Sequence, residues 1–186
     1  GARPCRPGAA LHHRHEGGAH PAAAWLRGAG SGTHGRDGVW VLLPGRDIDL
    51  AFPVPVEGRG DDDPVHERWL AQRNAQGQVL QHNLLALRAT HGIDVHVSFR
   101  ALPFTPPVKL YLLNGAEALF AYYTLTRRKQ EIDDEHLELY DSEGTQSMLF
   151  AFEQGAGLRD TTFVEQSHLW FNALWETISS ELALTG

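Results

Sequence analysis

The chain has 186 residues, 42% of them hydrophobic and 21% charged, and a formal net charge of -7. A chain of this size buries enough surface to need no disulfide or metal staple, and its single Cys5 has no partner within the chain. It holds no apolar run near the roughly 18 residues that span a bilayer, and no apolar block of the secretory kind opens it, so we expect a cytoplasmic protein with no membrane contact.

The first residue is Gly1 and the one methionine is Met148, which leads us to expect a fragment or processed piece of a longer protein. Residues 1-36 hold eight Gly, eight Ala, five His, five Arg and three Pro, with no Val, Ile, Phe, Tyr, Lys or Asp. Such a segment has little to bury against the entropy of ordering it, so we expect it to be disordered or loosely docked, or non-native and read out of frame. Five Arg against one Glu give it a net +4, which leaves 11 basic and 22 acidic residues, a net -11, in residues 37-186. A field of that sign repels a phosphate backbone and disfavours direct nucleic-acid binding by this chain alone.

Legible elements begin at Val39. Val39 to Leu43, closed by Pro44 and Gly45, is a short apolar run that suits a buried strand. Leu50 to Val56 follows as an edge strand or extended connector, because Pro53 and Pro55 each remove a ladder donor. Asp61, Asp62, Asp63 and Pro64 then form a helix entrance, carboxylates being favoured at the positive end and proline tolerated in the first turn. The apolar stripe Val65, Trp69, Leu80, Leu84 and Leu87 carries the helix to about residue 90, but Arg73, Gln76 and Gly77 interrupt it, and two helices or one broken helix fit equally well.

His91 and Gly92 end that helix, and Ile93, Val95, Val97 and Phe99 alternate with polar residues as a half-buried strand. Val108 to Leu113 and Ala116 to Tyr123 flank Asn114-Gly115, a pair that tolerates the positive φ angles of a type I′ turn and so predicts a hairpin. Shorter strands are expected at His136 to Tyr140 and Met148 to Phe152. Asp160 or Thr161 can cap a last helix whose Phe163, Ser167, Trp170, Phe171, Leu174, Ile178 and Leu182 fall on one face. No repeat of 20 to 50 residues is present, which excludes a solenoid. The order of elements predicts an α/β fold, a mixed-sheet sandwich with flanking helices over residues 37-186.

Gly30 to Gly35 fits G-x-G-x-x-G, but a dinucleotide loop must open a helix, and the next element here is a strand. The histidines at 12, 13, 15, 20 and 34 sit in a Gly/Ala background where they form no more than an adventitious metal site. Asp47, Asp49 and Asp61 to Asp63 lack the spacing and closing Glu of a calcium loop. His96 beside Ser98 reads as an exposed polar strand face. We therefore expect no cofactor and no metal. Trp170, Phe171 and Trp175 are an apolar payload for the core, and Trp175 is the candidate for contact with a second subunit.

The stretch Lys109-Leu110-Tyr111-Leu112-Leu113-Asn114-Gly115-Ala116-Glu117-Ala118-Leu119-Phe120, with Leu139-Tyr140-Asp141, Leu149-Phe150 and Phe163 to Trp175, resembles the C-terminal effector domain of bacterial GntR-type winged-helix transcriptional regulators. The resemblance covers about residues 93 to 182, and more loosely from Val39. It implies a homodimer that senses a small-molecule effector and meets DNA only through an N-terminal winged helix missing from this chain. The hairpin also resembles the phospholipase D superfamily motif H-x-K-x-x-x-x-D followed by Gly-Ser. With Lys109 aligned on the motif lysine, Pro107 replaces the nucleophilic histidine, Asn114 the aspartate, and Ala121-Tyr122 the Gly-Ser pair. Proline has no imidazole with which to attack phosphorus, so a phospholipase D-like fold without its catalysis is implied. Lys109, Tyr111 and Asn114 become candidate ligands for a polar or anionic effector. Two other readings stay open: a small enzyme acting on phosphate esters, and a purely structural self-association module.

Overall fold

The computed structural model describes residues 25-28, 37-58, 63-132, 134-143 and 147-185. Among the described residues, ten strands and two helices follow in the order β1 (Trp25–Gly28), β2 (Asp37–Pro44), β3 (Val54–Pro55), α1 (Pro64–His91), β4 (Val95–Leu102), β5 (Val108–Leu113), β6 (Glu117–Tyr122), β7 (Thr124–Ile132), β8 (Glu135–Glu143), β9 (Phe150–Glu153), α2 (Leu158–Thr177) and β10 (Ser180–Glu181). Seven strands form one mixed sheet in the order β10-β4-β2-β1-β5-β6-β9, and β3-β8-β7 form a second, antiparallel sheet. The α/β mixed-sheet architecture expected from the sequence is present.

The continuous apolar run of β2 is explained by burial on both faces. Trp40 and Leu42 join a core with Leu102, Leu110, Leu112, Ala118, Val164 and Phe171, which α2 covers. Val39, Val41 and Leu43 point the other way, to Phe99, Leu80 of α1 and Leu184. The N-terminal half of α1 is held by two smaller clusters. One gathers Trp69 with Leu50, Phe52 and Tyr123, and the other sets Val65 against Ile132 and Leu139 of the second sheet. The main sheet is thus sandwiched between α2 on one face and α1 with the small sheet on the other. β2 and β4 run parallel, and α1 is the crossover between them.

Several expectations change. The helix expected to be double or broken is one element of 28 residues, capped by the Asp63 side chain, which accepts from the His66 N–H at 3.0 Å, and ended by Gly92 at φ 69°. Its interruptions pack: Arg73 and Gly77 are buried, and a Cβ on Gly77 would lie 2.7 Å from Leu184 Cδ2, so the glycine makes room for the C-terminal tail. The Leu50 to Val56 segment contributes only the two-residue β3. The last helix begins after Gly157, without the side-chain cap expected from Asp160 or Thr161; the Thr161 hydroxyl instead accepts from Gly155 N–H at 3.0 Å. Leu182 lies beyond that helix, and Trp170, adjacent to the buried Phe171, is 41% exposed.

Residues 25-28, assigned by sequence to a segment with nothing to bury, form β1 inside the main sheet. It pairs antiparallel with β2 and parallel with β5, and it separates those two strands. Backbone pairing explains this, since a strand flanked on both sides satisfies its N–H and C=O groups whatever its composition. The rest of residues 1-36 lies outside the described residues, as do Cys5, the Gly30 to Gly35 pattern, the histidines at 12, 13, 15, 20 and 34, and Asp61 and Asp62.

Candidate ligand site

Lys109 is the second residue of β5, and its side chain leaves the sheet on the α1 face, because Val108, Leu110 and Leu112 fill the α2 face. It is only 7% exposed, and its Nζ stands 4.9 Å from the centre of the Tyr123 ring, a cation–π arrangement. Burial pulls its ammonium below the ordinary 10.5, because desolvation penalises the charged form. Tyr111, two residues on and on the same face, is half-buried, and desolvation raises its phenol above 10.0.

Asn114 is not brought to this place. It occupies the β5-β6 turn with φ 52°, beside Gly115 at φ 71°, and is exposed. Five residues of strand rise, roughly 17 Å, separate it from Lys109. The turn chemistry alone accounts for an asparagine there.

A second buried cation stands at the same end of the same face. Arg73 of α1 is 2% exposed, and its Nη1 donates to the Pro44 carbonyl at the end of β2 at 2.8 Å. Its Nη2 and Nε donate to Asn74 Oδ1 at 2.7 and 3.2 Å, and the guanidinium lies 5.3 Å from the Trp69 ring centre. Among the described residues no carboxylate pairs with it. Desolvation, and secondarily the charge of Arg46, push its pKa down to about 10. Trp69 packs with Phe52 and Tyr123, and the Phe52 and Tyr123 rings are 5.4 Å apart, so aromatic rings join the two cations. The Trp69 Nε1–H is buried and finds no acceptor among the described residues. The cluster therefore offers positive charge and a spare donor, and it can accept an anion or a polar acceptor. Sequence reasoning missed Arg73, although a long cation on an otherwise apolar stripe was the available signal.

Pro107, the residue that the sequence resemblance aligned with a nucleophilic histidine, carries no imidazole. Pro107 precedes β5, and its carbonyl accepts from Tyr123 N–H at 3.5 Å as an extension of the hairpin ladder. His66 touches the cluster through the edge of Trp69, with ring centres 5.7 Å apart, and its Nε2 lies 2.7 Å from the Arg46 carbonyl. His96 is exposed, as expected, and its Nε2 lies 2.8 Å from Ser98 Oγ. Among the described residues no group of three or more His, Cys, Asp or Glu could hold a metal ion, and no helix is long and apolar enough to cross a membrane.

Trp175, the candidate for a subunit contact, is half-buried within its own chain. Its ring stacks on Phe171 at 6.0 Å and carries the Arg100 guanidinium 5.3 Å from its centre. Leu169 and Trp170 are the neighbouring α2 residues whose apolar surface faces out, at 61% and 41% exposure. Comparison of the chain with protein families, with curated proteins and with solved structures gave no match to any of them.

Proposed function

We propose that residues 37-186, together with β1 in their main sheet, are the effector-sensing and dimerisation domain of a GntR-type transcriptional regulator, built on a phospholipase D-like fold that no longer catalyses. The observation that carries the reading is the pair of buried cations, Lys109 and Arg73, at one end of one sheet face, together with the buried Trp69 N–H that lacks an acceptor. Cations held largely out of water attract a bound anion more strongly than solvated ones do. Hydrolysis of a phosphate ester through a phosphohistidine is disfavoured by Pro107, which supplies no attacking nitrogen.

In this reading the effector is a small anion. Tyr123 covers the Lys109 ammonium, so the anion reaches it by displacing that ring. Tyr123 also packs on Phe52 and Trp69, and its displacement loosens the cluster that seats the start of α1. Two arrangements with different affinity for the anion are what an effector domain needs, and a coupling of about 1 to 3 kcal/mol to an attached DNA-reading winged helix is typical. Dimerisation would use the outer surface of α2, around Trp170 and the exposed part of Trp175.

A thermal-shift screen with inorganic phosphate, sugar phosphates, nucleotides and dicarboxylates tests this. A true effector at 100 times its Kd adds about 2.7 kcal/mol of stability, and Lys109→Met abolishes the shift. A ligand that stabilises Lys109→Met as much as the parent overturns the assignment.

A further inference from the structure

At the β4 edge of the main sheet lies a separate cleft of about 510 Å³, within the range of small-molecule sites, which wraps around the edge from Gln81 of α1 on one face to Trp175 of α2 on the other. It exists because β10 covers so little of that edge. Only Ser180 and Glu181 pair with β4, opposite Ala101 and Arg100, and the chain then turns away so that Leu184 reaches α1, where Gln78 Nε2 donates to its carbonyl at 2.6 Å. The stretch of β4 before Arg100 therefore borders the cleft.

Arg100 is the under-satisfied group of this cleft. Its Nη2 donates one hydrogen to the Ser179 carbonyl at 2.8 Å, and Trp175 holds the guanidinium plane. Its Nε–H is buried without an acceptor, Nη1 makes no hydrogen bond among the described residues, and no carboxylate there pairs with it. Nη1 and the second Nη2 hydrogen form the parallel donor pair that matches a carboxylate. Ser98, two residues earlier on the same strand face, adds a hydroxyl steadied by His96. Val97, Phe99 and Leu182 supply apolar lining. Glu181, the ladder partner of Arg100, also lines the cleft and disfavours any ligand that brings a second negative charge.

We propose that this cleft binds a small monocarboxylate with an apolar body, the carboxylate on the Arg100 guanidinium and the body against Val97, Phe99 and Leu182. The site is separate from the Lys109 cluster, which lies on β5, three strands away in the sheet. Occupancy ties the end of α2 to β4, because the same guanidinium already bridges Ser179 and Trp175.

The test titrates the full chain with benzoate and with hexanoate, followed by calorimetry and by the Arg100 side-chain Nε–H resonance. Saturable binding that moves this resonance is expected, with Arg100→Gln weakening it at least about tenfold and Lys109→Met leaving it unchanged. Glu181→Gln is expected to admit phthalate, a dianion, which the parent excludes. Absence of saturable binding at millimolar benzoate and hexanoate overturns the proposal, as does binding that leaves the Arg100 resonance in place. Inorganic phosphate binding as tightly as benzoate overturns the ligand class. Should Arg100→Gln fail to fold, the parent resonance and the Glu181→Gln selectivity still decide.

Discussion

Replacing Arg73 by methionine keeps the apolar stem and removes the guanidinium, and the structure sets the cost. The Pro44 carbonyl and Asn74 Oδ1 lose donors at 2.8 and 2.7 Å in a region where Arg73 is 2% and Asn74 6% exposed. Each buried acceptor left unpaired costs about 1 to 3 kcal/mol, and the lost contact with Trp69 adds about 1 kcal/mol. Relief of the cation's desolvation works in the opposite direction and is worth a few kcal/mol. We expect a net loss of about 3 kcal/mol, which at a slope of about 2 kcal/mol/M lowers the urea midpoint by about 1.5 M. Arg73→Lys should recover less than half of this, since one ammonium cannot serve Pro44 and Asn74 in the geometry of the fork. A midpoint for Arg73→Met at or above that of the parent would refute the reasoning, because the bonds would then be worth less than the burial they require.

Other outcomes follow from the same structure. Removing residues 1-36 deletes β1, leaving β2 and β5 with no ladder between them. Residues 37-186 alone should lose the cooperative unfolding transition, and a parent-like urea midpoint would show that β1 does not hold the sheet. Tyr111 has a phenol held above 10.0, so the folded state keeps its proton longer than the unfolded one and stability falls as pH climbs past 10.0. Tyr111→Phe should flatten that part of the stability profile, and an unchanged slope in urea melts across this range would contradict the buried phenol. Hydrolysis of bis(p-nitrophenyl) phosphate should not exceed the buffer rate, and turnover by the parent chain would restore an enzymatic reading.

The parts of the fold that announced themselves in the sequence are those whose local chemistry and burial agree. Val39 to Leu43 is apolar throughout and is buried from both sides, Asp63 and Gly92 cap α1, and Asn114-Gly115 closes the β5-β6 hairpin with positive φ at both residues. The elements missed are held by partners distant in sequence. β7, rich in Arg, Lys and Thr, is a strand because its backbone is paired along its length with β8, and its side chains give no alternating apolar signal. β1 is placed by β2 and β5 on its two sides. Arg73 looked like a break in α1 because its acceptors, Pro44 at the end of another element and Asn74 beside it, are not visible in a periodicity. At the site, Lys109 was singled out by resemblance, Asn114 from the same motif lies at the other end of β5 in the turn, and the aromatic neighbours Tyr123 and Trp69 required the fold.

The central claim of the proposed reading is that the buried Lys109 ammonium contacts the bound effector anion. Its side-chain pKa, followed through the Cε and Nζ resonances, measures this directly, with inorganic phosphate as the reference probe beside the anion giving the largest thermal shift. The account predicts a value below 10.5 in the free protein that rises when the site is saturated, because the bound negative charge favours the protonated form. A Lys109 titration that stays in place at saturation, or a free value at 10.5, would contradict it.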